Sequence, residues 1–180
     1  MKVIIVASSL NPGSNSRKMA QQLQKGWESD ADLDVQFVDL RDYPIPLCGG
    51  DEAWGDPNVA KLGEIFEKAD AVVFAVPIYN FDVNAALKNV IEFNGRKLSG
   101  KLAGFLCAAG GQGSYMSIMA FANSLMLDFR VVILPRFVYA TGDAFEGDSV
   151  DTEIAERIEK FGEEFKALAG AVNEIRPKDE

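Results

Sequence analysis

Lys2-Val3-Ile4-Ile5-Val6-Ala7-Ser8-Ser9-Leu10-Asn11-Pro12-Gly13-Ser14-Asn15-Ser16-Arg17 is the stretch on which the reading of this chain turns. An apolar, strand-forming segment runs straight into a loop of hydroxyls, amides and one glycine. A helical pattern follows at once, with Met19, Ala20, Leu23 and Trp27 at three- and four-residue spacing. A strand that turns directly into a helix sets the helix N-terminus at the strand's carboxyl edge, with its unpaired N–H groups and positive dipole end exposed. Such an end attracts anions, phosphate above all. The charge pattern agrees. The 180 residues include 18 basic and 27 acidic side chains, a net of −9, yet residues 1–27 contain no Asp or Glu. A carboxylate in the first helical turn normally stabilises a helix; its absence leaves that position to an external anion.

Outward from this unit the alternation repeats. Strands are expected at 2–7, 35–40, 70–76, 102–108 and 131–134, with 137–141 either extending the fifth past Pro135 or forming a short edge segment. Helices are expected at 16–28, 58–68, 84–93, 114–128 and 150–172. The fourth carries Ile118, Met119, Ala122, Leu125 and Met126 on its apolar stripe. Segment 41–57 is a Pro- and Gly-containing loop whose length marks it as functional, an interface or mobile. Five strands alternating with five helices imply an α/β fold, a parallel sheet with helices on both faces. Right-handed crossovers make it doubly wound, and five strands fit the order 2-1-3-4-5, with a ligand at the strands' carboxyl ends near the switch between strands one and three. A single domain over residues 1–175 is expected, with 176–180 a frayed tail.

Composition narrows the function. An acidic chain offers no basic surface to nucleic acid or to an anionic membrane, so neither is an expected partner. There is no run of about 18 apolar residues to span a bilayer, and the apolar run at the N-terminus is too short for a signal peptide. Cys48 and Cys107 make no disulfide framework. These features together point to the cytoplasm. The chain has no histidine, which removes Ser-His and Cys-His nucleophile pairs and nearly all zinc sites, so no metal is expected. The difficult chemistry then belongs to something the protein binds.

In this topology the loops after strands one, three and four meet on one edge. In the first, Ser9, Asn11, Ser14, Asn15 and Ser16 supply hydroxyl, amide and backbone donors, Arg17 supplies a forked cation, and Gly13 lets backbone approach a ligand. The same residues would also make an ordinary polar turn with Asn15 or Ser16 as helix cap. The second loop, Pro77-Ile78-Tyr79-Asn80-Phe81, carries two aromatics that either flank a flat ring or pack beneath a loop or at a dimer seam. The third, Gly110-Gly111-Gln112-Gly113, lets a planar ligand lie against bare backbone or is a plain tight turn. It is not a GxGxxG dinucleotide fingerprint. Residues 93–127 again lack Asp and Glu.

Taken together, the three loops resemble the NADPH-dependent FMN reductase family of the flavodoxin-like superfamily. Residues 8–17 are similar to that family's G-S-x-R-x-x-S-x-N/S-R/K loop. Pro77-Ile78-Tyr79-Asn80 and Leu87-Lys88-Asn89 are similar to its P-x-Y-N and L-K-N segments. The resemblance runs from residue 1 to about 140. It implies that Ser9, Ser14, Ser16 and Arg17 hold the FMN phosphate, that residues 77–81 contact the isoalloxazine, and that residues 110–113 contact its other edge. Two departures stand out: Asn11 replaces the usual Arg, and Phe81-Asp82 and Asn84-Ala85 replace the Gly-Ser and Pro-Gly that often follow P-x-Y-N. The implied activity is FMN-dependent oxidoreduction, with hydride passing from NADPH or NADH to FMN and on to a small-molecule electron acceptor such as a quinone, azo compound or flavin. No side chain need act as catalyst. The alternative is a flavodoxin-like electron carrier without pyridine-nucleotide activity. The family also implies a homodimer or homotetramer, for which loop 41–57, with Trp54, is the candidate contact.

Overall fold

The computed structural model describes residues 1–176; the remainder of the expected 176–180 tail lies outside the described residues. Its central strand is β1 (Lys2–Ala7), in which Ile4 and Val6 face one core while Val3 and Ile5 face another. All four are fully buried. That two-sided burial is why the segment reads as a continuous apolar run rather than an alternating one.

In chain order the elements are β1, α1 (Asn15–Trp27), β2 (Asp34–Asp39), α2 (Pro57–Lys68), β3 (Ala71–Tyr79), β4 (Asp82–Val83), α3 (Ala85–Asn94), β5 (Leu102–Ala109), α4 (Ile118–Phe129), β6 (Val132–Ile133), β7 (Val138–Thr141), a small hairpin of β8 (Phe145–Glu146) and β9 (Ser149–Val150), and α5 (Thr152–Ile175). The sheet runs β2-β1-β3-β5, with β6 and β7 sharing the outer place beside β5, and these pairings are parallel. In terms of the five expected strands this is 2-1-3-4-5, the doubly wound, flavodoxin-like arrangement. Helices α1 and α5 cover the face of Val3 and Ile5; α2, α3 and α4 cover the face of Ile4 and Val6. The core on the Ile4 face is closed by Phe74, Phe105 and Phe121, whose ring centroids lie 6.1–6.2 Å apart. On the Val3 face, a Cβ at Gly104 of β5 would sit 2.7 Å from the Phe161 ring, so only glycine lets α5 approach this closely.

Two expectations need correction, and two others are sharpened. Residues 77–79 are not loop: β3 continues through Tyr79 and turns into an antiparallel hairpin with β4. The fifth strand is split. Pro135 offers no N–H to the ladder. Between the pairs Ile133–Ala103 and Val138–Leu106 the outer strand carries two more residues than β5. Of the two alternatives for 137–141, the segment extends the fifth strand past Pro135 and forms its longer half. Helix α4 starts at Ile118, after a 3-10 turn at Gln112–Ser114. Its buried stripe is Ile118, Phe121, Ala122 and Leu125, while Met119 and Met126 face outward. Finally, the middle of loop 41–57 is tied to α3, where Asn89 accepts from Cys48 N (2.9 Å) and donates to Pro46 O (2.8 Å).

Candidate functional site

The carboxyl ends of β1, β3 and β5 open onto a cleft of about 630 Å³, built from one loop of each strand. The first loop leaves β1 through Ser8, which is fully buried. Its hydroxyl lies 3.0 Å from Ala75 O and 2.8 Å from Asn84 Oδ1, and Asn84 Nδ2 donates to Ser8 O (2.8 Å). Asn84 thus ties the end of β1 to the start of α3. Asn11 then folds the loop on itself: its side-chain oxygen accepts from Gly13 N (2.9 Å), and its own N–H donates to Ser9 Oγ (3.3 Å).

Ser14, rather than Asn15 or Ser16, is the N-cap of α1, and its hydroxyl accepts from Arg17 N. The Ser14 and Ser16 hydroxyls lie 2.9 Å apart in a buried pair. One proton joins them, so the other remains for an outside acceptor. The first turn carries no acidic residue. The N–H groups of Asn15 and Ser16 find no acceptor among the described residues. Ser9, Asn11, Gly13, Ser14, Asn15 and Ser16 all line the cleft. This donor set suits a phosphate dianion.

The structure does not bring Arg17 to the cleft. Its side chain is 7% exposed and turned back under the loop. Nε donates to Asp39 Oδ2 (2.8 Å), Nη2 to Asp39 Oδ1 (3.2 Å) and Ser9 O (2.8 Å), and Nη1 to Asn11 O (2.9 Å) and Pro12 O (3.2 Å). Every N–H of the guanidinium is thereby committed. Asp39 ends β2 opposite Ala7 and also receives Arg41 (2.7 Å). Burial pushes the Asp39 carboxyl up, but the hydrogen bonds from Arg41 and Arg17 outweigh it and hold the group at about 2.

The second loop is the tip of the β3–β4 hairpin. Pro77, Ile78, Tyr79 and Asn80 line the cleft. Asn80 and Phe81 have φ of 50° and 64°, the pair of positive angles of a type I′ turn. Asparagine tolerates that conformation; a phenylalanine there is strained. The turn carries Phe81 away from the cleft lining, 69% exposed. From the third loop only Gly110 reaches the cleft, joined by Ala108 and Ala109 of β5; Gly111, Gln112 and Gly113 do not line it. The loop is anchored from below. Tyr139 Oη donates to Gly111 O (2.5 Å), so the neighbouring Ser114 hydroxyl, 2.7 Å away, donates to Tyr139.

Sequence reasoning missed Asp39, Asn84, Ala108, Ala109, Tyr139 and Gly142, the last closing the cleft beyond β7. Asp39 and Tyr139 act through partners 22 and 28 positions away, a pairing that local pattern does not carry. Gly142 follows the end of the outer strand, and that signal was available in the topology.

A family model described as NADPH-dependent FMN reductase matches residues 1–146. The NAD(P)H-dependent FAD/FMN reductase of Geobacillus thermodenitrificans is 27% identical over 162 residues, 88% of each chain. The NADPH:quinone oxidoreductase of Arabidopsis thaliana is 30% identical over 148 residues, 74% of this chain and 73% of that one. Among solved structures, the flavoenzyme NAD(P)H:(acceptor) oxidoreductase FerB from Paracoccus denitrificans superposes with a TM-score of 0.75 at 25% identity, over 94% of this chain and 97% of its own.

Proposed function

The chain belongs to the NADPH-dependent FMN reductase family, and from that premise we propose that it is an FMN-dependent NAD(P)H oxidoreductase serving a small-molecule acceptor of the quinone, azo or flavin class. The observation that carries this reading is the cleft, which joins an anion-seeking helix tip to the Pro77–Asn80 arm of the hairpin, with Tyr79, and to the bare backbone of Gly110. FMN, when bound, supplies the hydride and electron chemistry.

The chain's own residues bind and orient. Ser9, Ser14, Ser16 and the helix N–H groups of Asn15 and Ser16 would hold the phosphate, with Asn11 shaping the loop beneath it. Pro77, Ile78, Tyr79 and Asn80 on one side and Gly110 on the other would bracket the tricycle. Even a Cβ added at Gly110 would meet nothing within 4 Å, so the ring edge has room against this side-chain-free backbone. We assign no catalytic side chain, since position and polarity are what the protein contributes. The test is anaerobic stopped-flow mixing of the FMN-loaded protein with NADPH and NADH. Rapid bleaching of the flavin band, reversed by a quinone, is expected. A band that neither nucleotide bleaches would leave an electron carrier instead.

We also propose a homodimer or homotetramer in the cytoplasm. Trp54 packs edge-on to Phe93 yet is 60% exposed, and Phe81, Met116 and Met119 are exposed as well; a second copy would cover such side chains. No helix among the described residues is long and apolar enough to cross a membrane, and a net charge of −9 repels nucleic acid and anionic lipid alike. Light scattering coupled to gel filtration gives the assembly directly, and a monomeric mass would refute it.

A further inference from the structure

We propose that Arg17 controls FMN retention as a positioning residue, clamped by Asp39, rather than as a ligand of the phosphate. The inference rests on the FMN reading above. A phosphate dianion is drawn to N–H groups and repelled by carbonyl oxygens. A loop as tight as residues 8–14 has carbonyls to hide. Arg17 takes three of them, those of Ser9, Asn11 and Pro12, onto its guanidinium. With those three carbonyls taken, the Asn15 and Ser16 N–H groups and one hydroxyl proton of the Ser14–Ser16 pair remain, all on residues that line the cleft. The backbone of the same residue contributes too, since Arg17 N–H caps onto Ser14 Oγ and fixes the Ser14–Ser16 hydroxyl pair.

Asp39 makes the arrangement hold. It takes the remaining two N–H groups of Arg17 from the end of β2, so the loop is braced against the adjacent strand and not merely folded on itself. It also neutralises the buried guanidinium, which would otherwise be costly to keep out of water. Arginine is needed for this because one planar fork must reach five acceptors in fixed directions; an ammonium point charge with three donors does not. The other cation of this helix start, Lys18, is engaged with Asn15 Oδ1 (3.0 Å) and lies over the Phe145 ring.

The clamp and the direct-ligand alternative predict opposite signs for Asp39→Ala. FMN and riboflavin, which differ by the phosphate, are titrated into apoprotein and followed by flavin fluorescence. The proteins compared are the wild type, Arg17→Lys, Arg17→Ala, Asp39→Ala and the Arg17→Ala/Asp39→Ala double variant. A clamp predicts that each single variant loses at least tenfold in FMN affinity while riboflavin affinity stays within threefold. It also predicts that the double variant is no worse than Arg17→Ala, because the two residues act as one unit. Retained riboflavin binding reports a folded site in each variant, and Arg17→Lys, the gentlest change, carries the test if the alanine variants do not fold. The proposal is overturned if lysine restores FMN affinity, if Asp39→Ala raises it by releasing the guanidinium, or if FMN and riboflavin affinities fall together. A wild-type protein that takes up no FMN would refute the cofactor reading itself, a distinct failure.

Discussion

Phe81 sits at φ 64°, where a bulky side chain is held against its preference, and its ring is mostly in solvent. Glycine at that position should relieve the strain and lose little burial. Phe81→Gly is expected to raise stability by about 1 kcal/mol, read by urea unfolding. If the ring shields the mouth of the cleft, the variant should also accept bulkier quinones and azo dyes with lower KM. Asp39 gives a pH signature. Its carboxyl ionises at about 2 in the folded chain against 3.8 as an ordinary aspartate. Its ion pairs therefore stabilise the fold above pH 3.8, and that contribution fades as pH falls toward 2. With Arg41 partly in solvent, the loss should be about 1–2 kcal/mol. Between pH 5 and pH 2.5 the wild type should lose that much more stability in unfolding curves than Asp39→Asn, since Asp30, Asp143 and Glu164 are also held below the ordinary carboxylate range and contribute to the loss in both. At this scale the sequence is least legible. Arg17 reads as a phosphate cation because its loop is full of donors, whereas the residue that claims it ends a different strand.

Among the elements, β5 and α5 pack closely through Gly104. Gly104→Ala would place a methyl 2.7 Å from the buried Phe161 ring and 3.0 Å from that of Phe165. With both rings fully buried there is no room to move aside, and overpacking should cost about 1–3 kcal/mol in thermal or urea unfolding. Unchanged stability would mean that α5 can slide on the sheet. Apolar periodicity locates every major helix, and it succeeds best for α1, where Met19, Ala20, Leu23 and Trp27 are all buried as spaced. It misleads for α4, whose sequence is apolar nearly all round, so that Met119 and Met126 fit the stripe as well as Phe121 does. The split of the fifth strand is half legible: Pro135 announces a break, but which half pairs more extensively depends on β5, not on the local sequence. Tyr79 reads as loop because Pro77 suggests a strand end, yet Pro77 stands within the described ladder opposite Ala108.

At the scale of the molecule, strand–helix alternation specifies the sheet order, and the sheet order specifies where the loops meet. That is why the location of the cleft follows from sequence while its lining follows only in part. The cleft residues among 9–16 are legible because a helix tip is a local motif. The ring end is less so, since Gly110 reaches the cleft and its neighbours do not, a matter of how Tyr139 holds the turn. The central claim is that this cleft selects a flavin by its phosphate. Titrating wild-type apoprotein with FMN and with riboflavin tests it most directly. Two to three charge-assisted hydrogen bonds of about 1.5 kcal/mol or more each correspond to a preference of about 100-fold or greater. One FMN per chain, bound with at least that advantage over riboflavin, is the result the account predicts; equal affinities, or no uptake of FMN, would contradict it.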